Sequence, residues 1–270
     1  MTIKQNQIHP LRTLALLGAM AAALWGCQTD DFAEPSNLPQ RELQLTVTDS
    51  GYTGHTVNYD NGTLRELPPT RATENGDTTT FTADDQIGFY AVNANNSMAN
   101  ANVCLTLTDI GGGTLQWQPP TGTKLSATAH RYFAYYPYNA SQGGTTASAT
   151  DADAFFASII LAWTPTADQS GTNYINQDLM VGSGALANNK LTITLVHKMG
   201  LAVIKLPAGA TDIAFTNAPY IGVNGEYRYL LKPSTATTLL CSFKLSGVAR
   251  GFVISPNITA GSYKEYTVTQ

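Results

Sequence analysis

The sequence predicts an all-β fold with two β-sandwich domains in tandem, and three observations support this prediction. Runs of alternating apolar and polar residues recur at short intervals from residue 42 to the end of the chain. Glycine, proline and asparagine separate these runs, and no segment keeps a convincing helical period for more than a few turns. Only 13% of the residues are charged, which is typical of an extracellular β-protein rather than a helical cytosolic enzyme.

Residues 1–26 are predicted to be a secretory signal peptide. An apolar run at residues 14–25 follows a basic, acid-free segment and is closed by Cys27. The run is shorter than the roughly 20 apolar residues that a membrane-spanning helix needs. Its exit resembles a bacterial lipobox, in which Cys27 becomes the acylated, palmitate-bearing N-terminus that holds the protein on the outer membrane. Trp25 departs from the small residue usual at that position, and a buried N-terminal helix is the alternative.

Residues 27–41 are predicted to form a flexible, lipid-anchored tether because they are polar and lack an alternating pattern. Asp30 and Asp31 resemble the surface-export signal of Bacteroidetes lipoproteins, and ordinary tether composition is the alternative. Removing residues 1–26 takes away two basic residues and no acid, which lowers the formal net charge from −4 to −6. Nucleic acid is therefore not an expected partner, because binding phosphates requires a basic face.

Residues 42–185 are predicted to form the N-terminal β-sandwich. Leu43, Leu45 and Val47 alternate with polar residues and predict a first, half-buried strand. A polar stretch with turn and breaker residues follows, from about Asp49 to Asn75. Further strands are predicted near residues 86–92, 103–108, 115–117 and 132–138, and a loop or hairpin tip at 139–154.

Residues 186–270 are predicted to form the C-terminal β-sandwich. The segment 191–206 reads LTITLVHKMGLAVIKL, and Gly200 within it is expected to allow a bulge or bend. About five short strands follow, separated by glycine- and proline-containing turns. Cys104 and Cys241 lie far apart in strand-like runs, so we expect two small buried thiols in separate cores, with a disulfide as the alternative.

The sequence contains no recognisable catalytic or metal-binding constellation, so we expect neither an enzyme nor a cofactor nor a metal site. The histidines lack metal-ligand spacing, and His197, on an apolar strand, is expected to be a core histidine with satisfied hydrogen bonds. Asp84 and Asp85 are expected to bond to backbone amides in a turn rather than to share a site. A glycosidase would need two inward-facing carboxylates, and no such pair is evident.

The aromatic run at residues 132–138 is expected to pack in the core. If aromatic side chains such as Trp117, Tyr136 or Trp163 were exposed instead, they would form a platform for stacking sugars. This keeps an alternative function open, that of a tethered cell-surface glycan-binding lipoprotein.

Several stretches, in this order behind the lipobox, carry a family resemblance. They are Thr70-Arg71-Ala72, Thr80-Phe81 with Asp84 to Val92, Tyr132 to Pro137, Asp178-Leu179-Met180, Val196 to Met199, and Ala260 to Tyr263. Together they resemble the Bacteroidales fimbrillin family of pilin subunits and related surface lipoproteins. The resemblance implies two transthyretin-like β-sandwich domains and a structural subunit or an accessory or tip adhesin of a cell-surface fimbrium.

The resemblance further implies assembly by protease-triggered donor-strand exchange. A trypsin-like protease would cut after an arginine and remove the anchor with the first strand, and another subunit's strand would fill the groove. Here the removable leader would be residues 42–71. Arg71 is the first choice for the cut because it follows the strand that must be released, with Arg65 second and Arg41 third. Surface arginines that are never cleaved are the alternative.

The C-terminal strand is the predicted donor, with Tyr263, Glu265, Thr267 and Thr269 on one face. Since no extension follows that strand, we expect a terminal, anchoring or accessory subunit rather than a stalk subunit. The expected partners are other fimbrial subunits through β-strand addition, outer-membrane lipid through Cys27, and a host or bacterial surface glycan or protein.

Overall fold

The computed structural model describes residues 43–60, 63–66, 78–235 and 237–269, with the backbone alone at 64–66. Within these residues the chain is nearly all β, as the sequence predicts, with three short helices. In chain order the elements are β1 (Gln44–Asp49), β2 (Thr53–Asp60), β3 (Thr63–Glu66), β4 (Gln86–Val92), β5 (Met98–Asp109), β6 (Leu115–Gln118), β7 (Arg131–Tyr136), α1 (Ala152–Phe155), α2 (Ala157–Ala162), α3 (Thr172–Ile175), β8 (Met180–Ala187), β9 (Lys190–His197), β10 (Gly200–Lys205), β11 (Thr211–Phe215), β12 (Tyr220–Ile221), β13 (Tyr227–Leu231), β14 (Leu239–Leu245), β15 (Val248–Ile254) and β16 (Ser262–Val268).

The first sheet has the strand order β1-β9-β8-β7-β4-β5-β6, with β1 and β6 at its edges. Its pairs are antiparallel except that β1 runs parallel to β9, from Gln44 opposite Lys190 to Asp49 opposite Leu195. One face of the sheet carries a buried cluster that includes Leu45, Phe89 and Ile193. The first strand therefore contributes to this core, as its alternating sequence predicts.

The second sheet has the order β12-β13-β10-β16-β2-β3, and the third has the order β11-β14-β15. Strand β16 lies between β10 and β2 and runs parallel to both. Apolar side chains of the second and third sheets, such as Val57, Phe243 and Tyr266, belong to one buried cluster. These two sheets therefore form a sandwich.

A third cluster connects the other face of the first sheet with the helices and the second sheet. Phe133 of β7 stacks on Phe155 of α1, with ring centroids 4.1 Å apart, and Leu201 of β10 belongs to the same cluster. The chain leaves the first sheet after His197 and enters the second at Gly200, where a Cβ atom would come within 2.9 Å of Ile258. The β8–β9 hairpin spans the predicted junction between residues 185 and 186, and the division into two domains at this position stays a prediction.

Two local features differ from the sequence analysis. The polar stretch after residue 49 contains β2 and β3, which were missed because Val57 is the one strongly apolar residue of TGHTVNYD. The predicted loop at 139–154 ends in α1, which Asp151 caps by accepting a hydrogen bond from the Ala154 amide at 2.8 Å. Among the described residues, no helix has the length and apolar character needed to cross a bilayer.

Candidate functional site

The described strands of the leader, residues 42–71, occupy edge positions in two sheets. Strand β1 is an edge of the first sheet, and in the described part of the chain it pairs with β9 alone. Strands β2 and β3 form one side of the second sheet, where β2 pairs with β16 from Thr53 to Tyr59 and β3 is the edge. The sequence predicted one removable strand, whereas the described residues upstream of Arg71 contain three.

Strand β1 is held by apolar contacts on one face and by the contacts of its last residue, Asp49. Leu45 is 7% exposed and Val47 is half-buried against the same core. On its outer side β1 borders a groove of about 430 Å³ that Phe81, Leu115 and Trp117 also line. Burial of one leucine and part of one valine contributes a few kcal/mol, about 1.5–3 for each fully buried side chain.

The turn after β1 fixes the carboxylate of Asp49. Gly51 has φ = +71°, a left-handed conformation that favours glycine. Its amide donates a hydrogen bond to Oδ1 of Asp49 at 2.9 Å. The amide of Thr79, which lies downstream of Arg71, donates to Oδ2 at 2.6 Å. The carboxylate therefore joins the leader to the body of the protein.

Asp49 also belongs to a buried group of side chains, which we call the His197 cluster: Asp49, Tyr52, Asp178 and His197. Nε2 of His197 lies 3.0 Å from Oδ1 and 3.1 Å from Oδ2 of Asp49. Nδ1 of His197 lies 3.0 Å from Oδ1 of Asp178. The Tyr52 ring stacks on the imidazole with centroids 3.8 Å apart, and its hydroxyl donates to Oδ1 of Asp178 at 2.7 Å. Two members belong to the leader and two to the body.

The electrostatics of the cluster favour a charged imidazole. Burial by itself would lower the pKa of His197, but the hydrogen bonds and charges of Asp178 and Asp49 outweigh it and raise this pKa from 6.5 to about 9. Burial opposes ionisation of Asp49 too, yet its hydrogen bond and charge interaction with His197 lower its pKa overall. At neutral pH the cluster thus holds an imidazolium between two carboxylates. All three side chains are buried: His197 is 0% exposed, Asp49 is 2% exposed and Asp178 is 7% exposed.

The expectation that His197 is a core histidine with satisfied hydrogen bonds is confirmed. The part of the chain that the structure describes holds no group of three or more side chains suited to a metal ion. Sequence reasoning missed Asp49 and Tyr52, because they lie 148 and 126 residues from their cluster partners His197 and Asp178. The Asp178-Leu179-Met180 motif was noticed, but only as part of a family resemblance.

The other predicted site residues have separate locations. Cys27, Arg41 and Arg71 lie outside the described residues, and Arg65 lies in β3 with its side chain outside them. The predicted donor residues Tyr263, Glu265 and Thr267 lie in β16, and Thr269 follows it. Because β16 is paired on both sides in this chain, donation would require it to leave β10 and β2, and its donor role stays a prediction.

The aromatic run packs in the core, as expected, and residues 132–136 are all at most 3% exposed. Trp117 and Tyr136 are 6% and 3% exposed, so neither presents a face for stacking sugars. Trp163 is half-buried and donates its Nε1 hydrogen to the Gln177 carbonyl oxygen at 2.8 Å. Trp117 and Tyr136 therefore do not form an aromatic platform, and a sugar-stacking role for Trp163 stays a prediction.

The predictions for the acidic pair and the thiols also have clear outcomes. Asp85 accepts a hydrogen bond from the Thr82 amide at 2.6 Å, which confirms the turn role for this carboxylate. Cys104 and Cys241 are both free, as expected, but Cys104 is half-buried rather than buried. Cys241 is buried, and burial raises its pKa to about 12.

Comparison with known proteins identifies the family of the chain. Residues 70–268 match the family model described as "Fimbrillin-like". A curated relative named "Putative fimbrium tip subunit Fim1C", from Bacteroides ovatus, is 30% identical over 254 residues, a match that covers 92% of this chain and 43% of the relative. A crystal structure of a fimbrial protein from Bacteroides ovatus superposes with a TM-score of 0.62 at 25% identity, covering 84% of this chain and 48% of that one. The chain thus spans less than half the length of both, and it belongs to the fimbrillin-like family of fimbrial and cell-adhesion proteins.

Proposed function

We propose that this protein is a structural subunit or an accessory or tip adhesin of a fimbrium, exported as an outer-membrane lipoprotein through Cys27 and assembled by protease-triggered donor-strand exchange. The observation that carries the proposal is the position of the leader. Its described strands lie at the sides of two sheets, upstream of Arg71, so their loss leaves the order of the remaining strands intact.

The pairing of the leader supports its replacement by another strand. Strand β1 meets the body through six parallel residue pairs with β9, and β2 meets it through seven parallel pairs with β16. Parallel pairs are slightly less stable per residue than antiparallel ones. Loss of the leader would leave unpaired backbone amides along β9 and β16, and apolar gaps at the positions of Leu45 and Val57. An extended strand with alternating apolar residues would pair with these amides and fill these gaps.

The named relative supports an accessory or tip position over a stalk position, since its name describes a fimbrium tip subunit. The relative is more than twice as long as the matched region, so the position of this chain in a fimbrium belongs to the proposal. Partners are then other fimbrial subunits at the vacated edges and membrane lipid at Cys27.

Limited proteolysis tests the mechanism directly. A protein comprising residues 28–270 is treated with trypsin, and the product is characterised by N-terminal sequencing and by size-exclusion chromatography. We expect a product that begins at Ala72, releases the leader slowly, and then forms multimers. Arg71→Gln should block this product, whereas the matched variant Arg41→Gln should not. A trimmed protein that has lost its leader yet stays monomeric at high concentration would refute strand exchange.

A further inference from the structure

We propose that the body half of the His197 cluster is a carboxylate-binding site, and that a strand replacing β1 must place an acidic side chain where Asp49 lies. The occupant is an extended strand of another fimbrial subunit, bound parallel to β9. This inference rests on the proposed function, because it concerns the strand that follows the leader into the vacated edge.

Loss of the leader removes one carboxylate and leaves the groups that bind it. Asp49 and Tyr52 depart, whereas His197, Asp178 and the Thr79 amide belong to the body. Nε2 of His197 lies 3.0 Å from Asp49 Oδ1, and the Thr79 amide donates to Oδ2 at 2.6 Å. Two donors from separate segments therefore converge on the two oxygens of one carboxylate.

Asp178 keeps the remaining ring fixed. Its Oδ1 lies 3.0 Å from Nδ1 of His197, so Nε2 stays directed at the vacated position. The neighbouring cation, Lys198, is directed elsewhere, with its Nζ 2.6 Å from Oδ1 of Asp153 in α1. Two phenols interact with the carboxylates of the cluster: burial, Asp178, Tyr174 and Asp49 raise the pKa of Tyr52 of the leader, and burial, Asp85 and Asp178 raise the pKa of Tyr136. His197 is thus the cation that meets the incoming strand.

Burial strengthens the preference for an acidic side chain at this position. The His197 side chain is 0% exposed, so an incoming strand that covers Nε2 without a charged acceptor would leave a buried charge partly uncompensated. Removing one partner of a buried, hydrogen-bonded ion pair costs much more than removing an exposed one. An apolar or amide side chain at this position is therefore selected against.

The register of β1 defines the complete pattern that the strand must carry. Leu45 lies opposite Leu191, Val47 opposite Ile193 and Asp49 opposite Leu195, and alternate residues share one face. The expected motif is apolar, any, apolar, any, acidic, running parallel to β9. The predicted donor strand of this chain fits this motif in part, since Tyr263 and Glu265 match its second apolar and its acidic positions while Gly261 stands at its first apolar position.

Peptide exchange tests the inference. The protein of residues 28–270 is nicked with trypsin and mixed with fluorescent peptides, and binding is measured by anisotropy at pH 7. The peptides are the natural residues 43–52 (LQLTVTDSGY), the same peptide with Asp49→Asn, and a charge-matched peptide with Gln44→Glu and Asp49→Asn. We expect the natural peptide to bind at least about 10-fold more tightly than both others, as for loss of one partner of a buried ion pair.

The outcomes separate the inference from the proposed function. If no peptide enters the nicked protein, strand replacement fails, and the inference falls with it. If all three peptides bind equally, the inference is wrong while strand replacement stands. His197→Gln in the protein should abolish the preference for the natural peptide, and a preference that survives this change would also overturn the assignment. The peptide comparison does not depend on the folding of that variant.

Discussion

The charge on His197 should make the stability of the protein fall steeply between pH 6 and pH 9. Its pKa is 6.5 in the unfolded chain and about 9 in the fold. A histidine with a raised pKa contributes stability that is fully present below pH 6.5 and is lost as the pH rises through 9. The difference corresponds to about 3 kcal/mol in the free energy of unfolding, at 1.36 kcal/mol for each unit of pKa. Asp49 acts in the opposite direction, since its lowered pKa contributes stability that is lost only in acid.

The perturbation is His197→Gln, which leaves the carboxylates of Asp49 and Asp178 buried beside a neutral side chain. At pH 6 we expect it to lower the free energy of unfolding by about 3–5 kcal/mol, as for breaking a buried ion pair. Urea denaturation of residues 28–270, followed by tryptophan fluorescence at pH 6, 7, 8 and 9, measures the effect. Wild-type protein should lose about 3 kcal/mol over this range, and the variant should lose much less.

An exposed histidine supplies the matched control. His130 is exposed, so His130→Gln should keep the pH dependence of the wild type. Equal slopes for wild-type protein and His197→Gln would refute the reasoning. If His197→Gln does not fold, nuclear magnetic resonance titration of the wild-type imidazole provides the same test. A pKa near 9 is expected, and a value near 6.5 would contradict the geometry.

Further predictions concern the leader, the first sheet and the thiols. Leu45→Ala should lower the free energy of unfolding by about 2 kcal/mol, as measured by urea denaturation. It should also speed the release of the leader from the nicked protein, as measured by chromatography. An unchanged release rate would argue against a role for the packing of Leu45 in holding the leader. Gly182→Ala should prevent normal folding because its Cβ would collide with the backbone of β9, whereas Gly143→Ala, with open space around it, should melt like wild type in a thermal scan. Native protein should react with a thiol reagent at half-buried Cys104 before buried Cys241, as read by peptide mass spectrometry, and equal rates would contradict the burial of Cys241.

The sequence predicts those features of the fold that depend on local pattern. Alternation at Leu43, Leu45 and Val47 predicts β1, and the aromatic run predicts the buried strand β7. Strand β2 could not be found in this way, because it is stabilised by parallel pairing with β16, about 200 residues later, rather than by its own apolar content. Parallel partners leave no turn signal between them, since the chain must cross the fold to pair them.

The candidate site shows the same limit. A histidine on an apolar strand indicates a buried group that needs hydrogen bonds, and this much was predictable. The identity of its partners depends on how β1 ends beside β9, which follows from tertiary packing. Asp49 itself looks like an ordinary turn residue, and its Asx-type bond to Gly51 is what a local reading would expect. Its second role, as the leader's carboxylate on His197, is visible only in three dimensions.

Intact-mass spectrometry with N-terminal sequencing, applied to the protein recovered from the surface of its host, shows whether the leader is removed. We expect a fraction that begins at Ala72, lacks the acyl group of Cys27, and migrates as multimers that resist mild denaturant. If all of the material instead begins at an acylated Cys27 and stays monomeric, the leader is not removed, and assembly by strand exchange is wrong for this chain.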